Sequence, residues 1–359
     1  MKKFLIFVCS LLLFTILTIQ VADYIFYRIN VNTVSPVQSP SVVEDDSIPI
    51  SISAVGDCFF GTDTKALGSG SFEAIFKDIE YDYTYPFKKV KKYFEQDDLT
   101  VINYEGAISD NGTRAEKEFA FRSRPEYVNI LTEGSVEVAN LSNNHTRDYG
   151  ETARNDTKQI LSENGIATFT GSDVTIVEKS GIKIGFIGTS ALRYSEKSAF
   201  LDNLNLLKEQ NPDLIVAVFH WGIERETTPT NEQTQLAHTA IDNGADLVIG
   251  HHPHVLQGVE KYKGKYILYS LGNFAFGGNK NPSDKDTMIF NQVFYFKDGK
   301  LTDKEDVSII PCLISSAEKG NNYQPTPLSG EEFTRVKNKI LDLSSNFDGI
   351  ENIRFIEDK

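Results

Sequence analysis

Apolar runs of strand length recur along this chain, and each ends on side chains that bind metals or carry protons. Residues 50–55 stop at Gly56-Asp57, and residues 99–102 stop at Asn103-Tyr104-Glu105. Residues 136–141 open into Ser142-Asn143-Asn144-His145, and residues 214–219 into His220-Trp221-Gly222-Ile223-Glu224. Residues 247–249 lead to Gly250-His251-His252-Pro253-His254, so five of the six histidines follow a strand-like run. Between the runs lie stretches of helical period at 87–94, 125–131, 153–164, 201–209 and 232–243. This alternation specifies an α/β fold with a mainly parallel sheet, since parallel neighbours need crossover connections. Ligands bind such sheets at the carboxyl ends of the strands, so these distant segments are expected to converge on one site.

Turn chemistry supports the boundaries. Glu163-Asn164-Gly165 and Asp242-Asn243-Gly244 each close a helix with a residue suited to positive φ. Residues 266–274 and the alternating run 290–296, followed by Lys297-Asp298-Gly299-Lys300, predict antiparallel strands and a second half of mixed direction. Residues 331–343 read as an amphipathic helix packed on the domain. His238 falls on the polar side of its helix and is expected to be structural.

Met1-Lys2-Lys3 precedes an apolar stretch from Phe4 through Ile19, continuing to Phe26. A bilayer takes roughly 20 apolar residues, whereas a signal-peptide core is shorter and ends at small residues. Gln20, two positions before Ala22, fits a cleavage site poorly, and Tyr24 to Tyr27 read as an interfacial belt, so an uncleaved single-pass anchor is favoured over a signal peptide. Either reading puts the remainder outside the cytoplasm. Cys9 reads as a membrane-buried apolar residue. The expected organisation is an anchor at 1–29, an extracytoplasmic linker at 30–48 rich in Ser-Pro and acidic residues, a domain at 49–315 and a packed helical extension at 316–359. Cys58 and Cys312 are too few for a disulfide framework; Cys58 reads as a packed thiol or, less favourably, a thiolate ligand. A net charge of −14 and the lack of a long basic run argue against a nucleic-acid partner.

His252 and His254, one residue apart in a loop stiffened by Pro253, read equally as metal ligands or as parts of a polar loop. Carboxylates such as Asp57 and Glu105 add the negative charge that holds divalent ions, and two close ions serve hydrolysis. Asn144-His145 places an amide ligand beside a proton donor; the alternative is a helix start capped by Asn143 or Asn144. His220 ends an apolar strand, where a satisfied core histidine is the usual occupant, but Trp221-Gly222-Ile223-Glu224 beside it favours function. The chain has no Gly-x-Ser-x-Gly elbow, no phosphate-binding glycine loop ending in Gly-Lys-Ser/Thr and no closely spaced cysteine pair. Metal-assisted hydrolysis therefore leads.

Gly56-Asp57, Asn103-Tyr104-Glu105-Gly106, Asn143-Asn144-His145 with Asp148-Tyr149-Gly150, His220-Trp221-Gly222, His252-Pro253-His254 and Ser270-Leu271-Gly272-Asn273-Phe274, in this order, resemble the CapA-like capsule synthesis, or poly-γ-glutamate biosynthesis, proteins. That family is similar to the calcineurin-like metallophosphatases, which implies a four-layer α/β/β/α sandwich with a metal centre at the strand ends. By resemblance, Asp57, Glu105, Asn144, His220, His252 and His254 are the metal ligands, for one or two ions of manganese, zinc or iron. Glu105 stands where a bridging carboxylate is expected, and His145, with Asn144, is the catalytic candidate. Asn103, Arg147, Trp221, Glu224 and Asn273, beside those ligands in the chain, are the substrate-contact candidates. The chain departs from the phosphatase pattern at Phe59, where a histidine ligand is expected, and in carrying Glu105 in place of an aspartate. The implied role is biosynthesis, export or processing of an anionic cell-envelope polymer, by hydrolysis of phosphoester or amide bonds, alongside membrane polymer-synthase subunits. A non-catalytic polymer-binding or assembly role is the alternative. A polyanion would need bridging cations or a basic groove such as Arg114, Arg122, Arg124 and Arg147; these arginines also read as ordinary surface residues.

Overall fold

The computed structural model describes residues 46–191 and 196–358, together with residues 15, 18 and 20–22. The expected anchor and linker fall almost wholly outside the described residues; among those described, no helix is long and apolar enough to cross a membrane. Residues 47–359 form one compact unit.

This unit is mixed α/β and is built on two sheets of nine and six strands. The first is organised around Ile48–Phe59, which runs parallel to Leu99–Tyr104. Val138–Asn140 and Ala167–Phe169 continue outward in the same direction. On the other side Asp286–Lys297 is antiparallel and pairs with Lys300–Leu313 through a tight turn with positive φ at Asp298 and Gly299. The second sheet runs Val259–Tyr262, Lys265–Leu268, Leu247–His251, Leu214–Trp221, Ile182–Ala191, Thr175–Lys179. Its four middle strands are parallel and its edges antiparallel.

Period-two alternation decides how these sheets pack. From Ile48–Phe59, Ile50, Ile52 and Ala54 enter a core shared with Ile184, Phe186, Val216, Val218, Leu247 and Ile249 of the second sheet. Val55 and Cys58, on the opposite face, pack with Phe72, Phe76, Phe87, Phe94 and Leu161. Ala217, Phe219 and Trp221 of the second sheet face away toward Phe200, Leu204, Leu236 and Ala240. The sheets thus share an inner core and carry helices on their outer faces.

The expected helix ends hold: Gly150–Glu163 and Asn231–Asp242 are followed by Gly165 at φ 77° and Gly244 at φ 105°. Asn231–Asp242 starts on a reciprocal cap between Thr230 and Gln233. The helix Phe72–Asp78, capped by Ser71, carried no strong periodicity and was not anticipated. The strand direction expected over 266–274 is corrected: Lys265–Leu268 is antiparallel only to Val259–Tyr262 and parallel to Leu247–His251, while Asn273–Phe276 runs parallel to Ile48–Phe59. An apolar run does not encode which neighbour it meets. Gly330–Leu343 buries Phe333, Val336 and Ile340 in the inter-sheet core, and Thr326–Pro327 and Arg354–Phe355 pair with Lys300–Leu313.

Candidate metal centre

Register sets the polar strand ends side by side. Asp57 lies opposite Asn103 and Asn273, Asn103 opposite Asn140, and in the second sheet His251 opposite His220. Asp57 is fully buried, and its Oδ1 accepts from Asn103 Nδ2 at 2.8 Å. His251 Nδ1 and His254 Nδ1 each stand 3.1 Å from its carboxylate. Burial alone would raise this carboxyl, but His251 and His254 reverse the effect and hold it well below the usual carboxylate range.

Glu105 is also fully buried, and neither carboxylate oxygen has a hydrogen-bond partner. His145 Nε2 and His220 Nε2 lie 3.7 Å from its Oε1, and His254 Nε2 lies 3.9 Å away. Burial pushes this carboxyl up to about 8 despite the opposing His254, with Asp57 and Glu224 adding to the rise. His254 is raised to about 10: burial opposes protonation, but Glu105 and Asp57 outweigh it. Burial, reinforced by neighbouring imidazoles, lowers His220 well below its ordinary value and His252 to about 4. His220 and His252 are therefore held neutral, the form of imidazole that ligates a metal, beside Glu105, a buried carboxyl with no donor on either oxygen.

Two donor groups have all their ligand atoms within 4.8 Å of one another: Glu105, His252 and His254, and Asp57, Glu105 and His220. Glu105 is common to both. Asn144 Oδ1 adds an oxygen 2.9 Å from His220 Nε2. These residues fit a divalent cation on the structure's own terms. A buried carboxylate without donors is costly unless a cation or proton meets it, and His252 Nδ1 and His251 Nε2 are likewise buried without hydrogen bonds. The loop is also strained, with φ of 96° at His252 and 57° at His254. Such conformations cost about 1–3 kcal/mol each and cluster at functional sites.

His145 belongs to a separate constellation. Its Nδ1 lies 2.6 Å from Asp148 Oδ2, and Asp148 also accepts from the backbone N–H of Phe121 at 2.7 Å and from Lys117 Nζ at 2.7 Å. Phe121 stacks on the imidazole at 4.1 Å between centroids. Asp148 thus holds the Nδ1–H tautomer and turns Nε2 toward Glu105. Burial lowers the His145 pKa, with Asp148 opposing.

Of the remaining candidates, Asn273 Oδ1 accepts from His254 Nδ1 at 2.9 Å. Asn103 is committed on both ends of its amide, donating to Asp57 and accepting from Asn140 at 2.8 Å, so it orients a ligand rather than facing the cleft. Glu224 is exposed and acts on His252, His254 and Glu105 through its charge. Arg147 is exposed and bonded to Glu151. Trp221 stands outside the site: alternation sends it to the outer face with Phe219, where its Nε1–H bonds the Tyr269 carbonyl at 2.9 Å. Cys58 and Cys312 are free and buried in the outer core, and burial pushes both thiols up, which disfavours a thiolate ligand. His238 bonds Glu260 and stacks on Tyr262. Phe59 stacks with Phe121, and the imidazole beside Asp57 comes instead from His251. His251 was passed over in the sequence although it ends a strand like His220; Asp148 and Lys117 could have been suspected only from Asp148 lying one turn beyond His145.

The bacterial capsule synthesis protein model PGA_cap matches residues 51–278. The capsule biosynthesis protein CapA of Bacillus anthracis is 29% identical over 63% of this chain and 60% of its own length. The PGA biosynthesis protein CapA of Bacillus subtilis is 32% identical over 53% of this chain and 56% of its own. A probable polyglutamine synthesis accessory protein of Mycobacterium tuberculosis is 26% identical over 54% and 60%. The chain thus spans about three fifths of the length of these curated relatives. With the family model covering every strand end that builds the site from Asp57 to Asn273, the chain belongs to the bacterial capsule synthesis protein family PGA_cap.

Proposed function

We propose that this protein is a membrane-anchored, extracytoplasmic metal-dependent hydrolase acting on phosphoester or amide bonds during synthesis, export or processing of an anionic capsular polymer of the poly-γ-glutamate type. The observation that carries the reading is Glu105, buried, without a donor on either oxygen, and common to two ligand groups. On this reading the fold is a metallophosphatase-type four-layer sandwich, residues 1–29 are the anchor and residues 30–48 the linker. Asp57, Glu105, His220, His252 and His254, with Asn144, hold one or two ions; imidazole, carboxylate and amide oxygen suit manganese, zinc or iron. Those residues would hold a divalent ion, which would supply polarisation of the scissile group and a nucleophile at neutral pH. His145 Nε2, left free by the Nδ1–H that Asp148 accepts, takes up the proton of the attacking water and passes it to the leaving group, and Asp148 stabilises the imidazolium formed between the two transfers.

The test is metal content by mass spectrometry on the full chain in detergent, beside an Asp57→Ala/His252→Ala variant, followed by a hydrolysis screen. Stoichiometric metal in the first alone supports the reading; no metal in either after incubation with manganese, zinc or iron refutes it. Phe59 favours a second reading, because an apolar ring replaces a histidine donor: a non-catalytic polymer-binding or assembly component. Metal uptake without turnover would select it.

A further inference from the structure

Of the four arginines considered for a basic groove, three are neutralised. Arg114 lies 2.7 Å from Asp63 and also donates to the backbone carbonyls of Ala115, Lys117 and Glu118. Arg124 is paired with Glu73 at 2.9 Å, and Arg147 with Glu151. Arg122 differs. It is half-buried and makes no hydrogen bond or ion pair among the described residues. Its guanidinium lies over the Tyr149 ring at 4.3 Å. In a chain with 50 acids against 36 lysines and arginines, a half-buried arginine without a carboxylate is out of keeping. A guanidinium over a ring face keeps its N–H donors for another partner.

Arg122 and Tyr149 line a cleft of about 550 Å³ with Leu67, Asp110, Glu126 and the ion-paired Arg124 and Glu73. Asp110 and Glu126 are exposed and make no ion pair among the described residues, and Arg124 is matched by Glu73, so Arg122 is the one cation of the cleft without a carboxylate. That balance disfavours a doubly charged phosphate and favours a single carboxylate at Arg122. Leu67, 59% exposed, offers apolar surface for the methylenes that carry it. The cleft is joined to the metal centre at two points. Phe121 stacks on His145 while Arg122, the next residue, faces the cleft; Asp148 holds His145 while Tyr149, the next residue, is the platform.

We infer that Arg122, braced on Tyr149, binds one carboxylate of an acidic, amide-linked chain and positions that chain beside the metal centre. This rests on the reading of that centre as acting on an anionic polymer. The test is calorimetric titration of the full chain in detergent with a short γ-linked glutamate oligomer, its carboxamide counterpart and inorganic phosphate. Arg122→Gln should weaken oligomer binding roughly tenfold or more, and Arg122→Lys should fall between, because an ammonium keeps the charge without the two-pronged geometry. Arg354→Gln, an exposed arginine paired with Asp306, should bind like the wild type. The carboxamide should bind weakly to every variant. Unchanged affinity in Arg122→Gln, equal binding of phosphate or carboxamide, or no oligomer binding by the wild type would each overturn the inference. Metal content measured on the same samples separates the two readings: loss of oligomer binding with full metal supports the cleft, and absence of metal in the wild type strikes the metal centre whatever the cleft does.

Discussion

Glu105→Gln is the substitution on which the metal centre stands or falls. The side chain belongs to both donor groups, so one amide for carboxylate weakens both at once while changing volume little. At a metal concentration about 100 times Kd each ion stabilises the folded chain by about 2.7 kcal/mol, hence roughly 5 kcal/mol for two. For a compact unit of this size each kcal/mol moves Tm by roughly 2 °C, so metal should raise the wild-type Tm by roughly 10 °C, or half that for one ion. The same substitution removes a buried carboxylate that has no donor, so the metal-free variant should melt no lower than the metal-free wild type. Scanning calorimetry on chelated and metal-loaded samples of both proteins gives the four values needed. An equal metal-induced rise in wild type and Glu105→Gln would refute the reasoning, because stabilisation would then come from another site. A metal-free variant several degrees less stable would show that Glu105 has a structural donor that the geometry does not contain.

Three further outcomes are expected. Trp221→Phe should leave metal content unchanged while lowering stability by about 1–3 kcal/mol in urea melts, since the Tyr269 carbonyl loses its buried donor. Gly56→Ala should be more severe than a surface change, because its Cβ would stand 2.2 Å from the Gly272 carbonyl oxygen and push the Asn273 loop from Asp57; thermal melts and metal content should both fall. Asp286 is 6% exposed, and although burial opposes it, Arg335 and Lys339 hold its carboxyl below the usual range, clamping Gly330–Leu343 to the sheet. A lowered folded pKa contributes stability that is present above the unfolded value of about 4 and is lost as pH falls through the folded one. Asp286→Asn should therefore cost about 1–2 kcal/mol at pH 7, discounted for the half-exposed Arg335, and the difference should vanish in acid.

Much of this protein was legible along the chain. Strand identity, helix ends at Gly165 and Gly244, and the convergence of Asp57, Glu105, Asn144, His220, His252 and His254 follow from local rules: alternation, turn chemistry, and the position of ligands at strand ends. What local rules lack is the partner across space. Whether Lys265–Leu268 runs with or against its neighbour depends on which strand it pairs with, and that Asn273–Phe276 lies along Ile48–Phe59 depends on pairing between residues more than 200 apart. Face is a tertiary property too: Trp221 and His220 are adjacent, yet one enters the helix-covered core and the other the metal centre. His251 became visible as the neighbour of Asp57 only when register aligned it with His220. The arginines make the same point, since nothing in the sequence separates Arg122 from Arg114 or Arg124 until the fold supplies an acid to each of those two and none to Arg122. The order of residues along the chain determined which chemical groups stand at the strand ends; the tertiary structure alone decided which of them meet, because charge and hydrogen bonding act over a few ångströms of space and not along the chain.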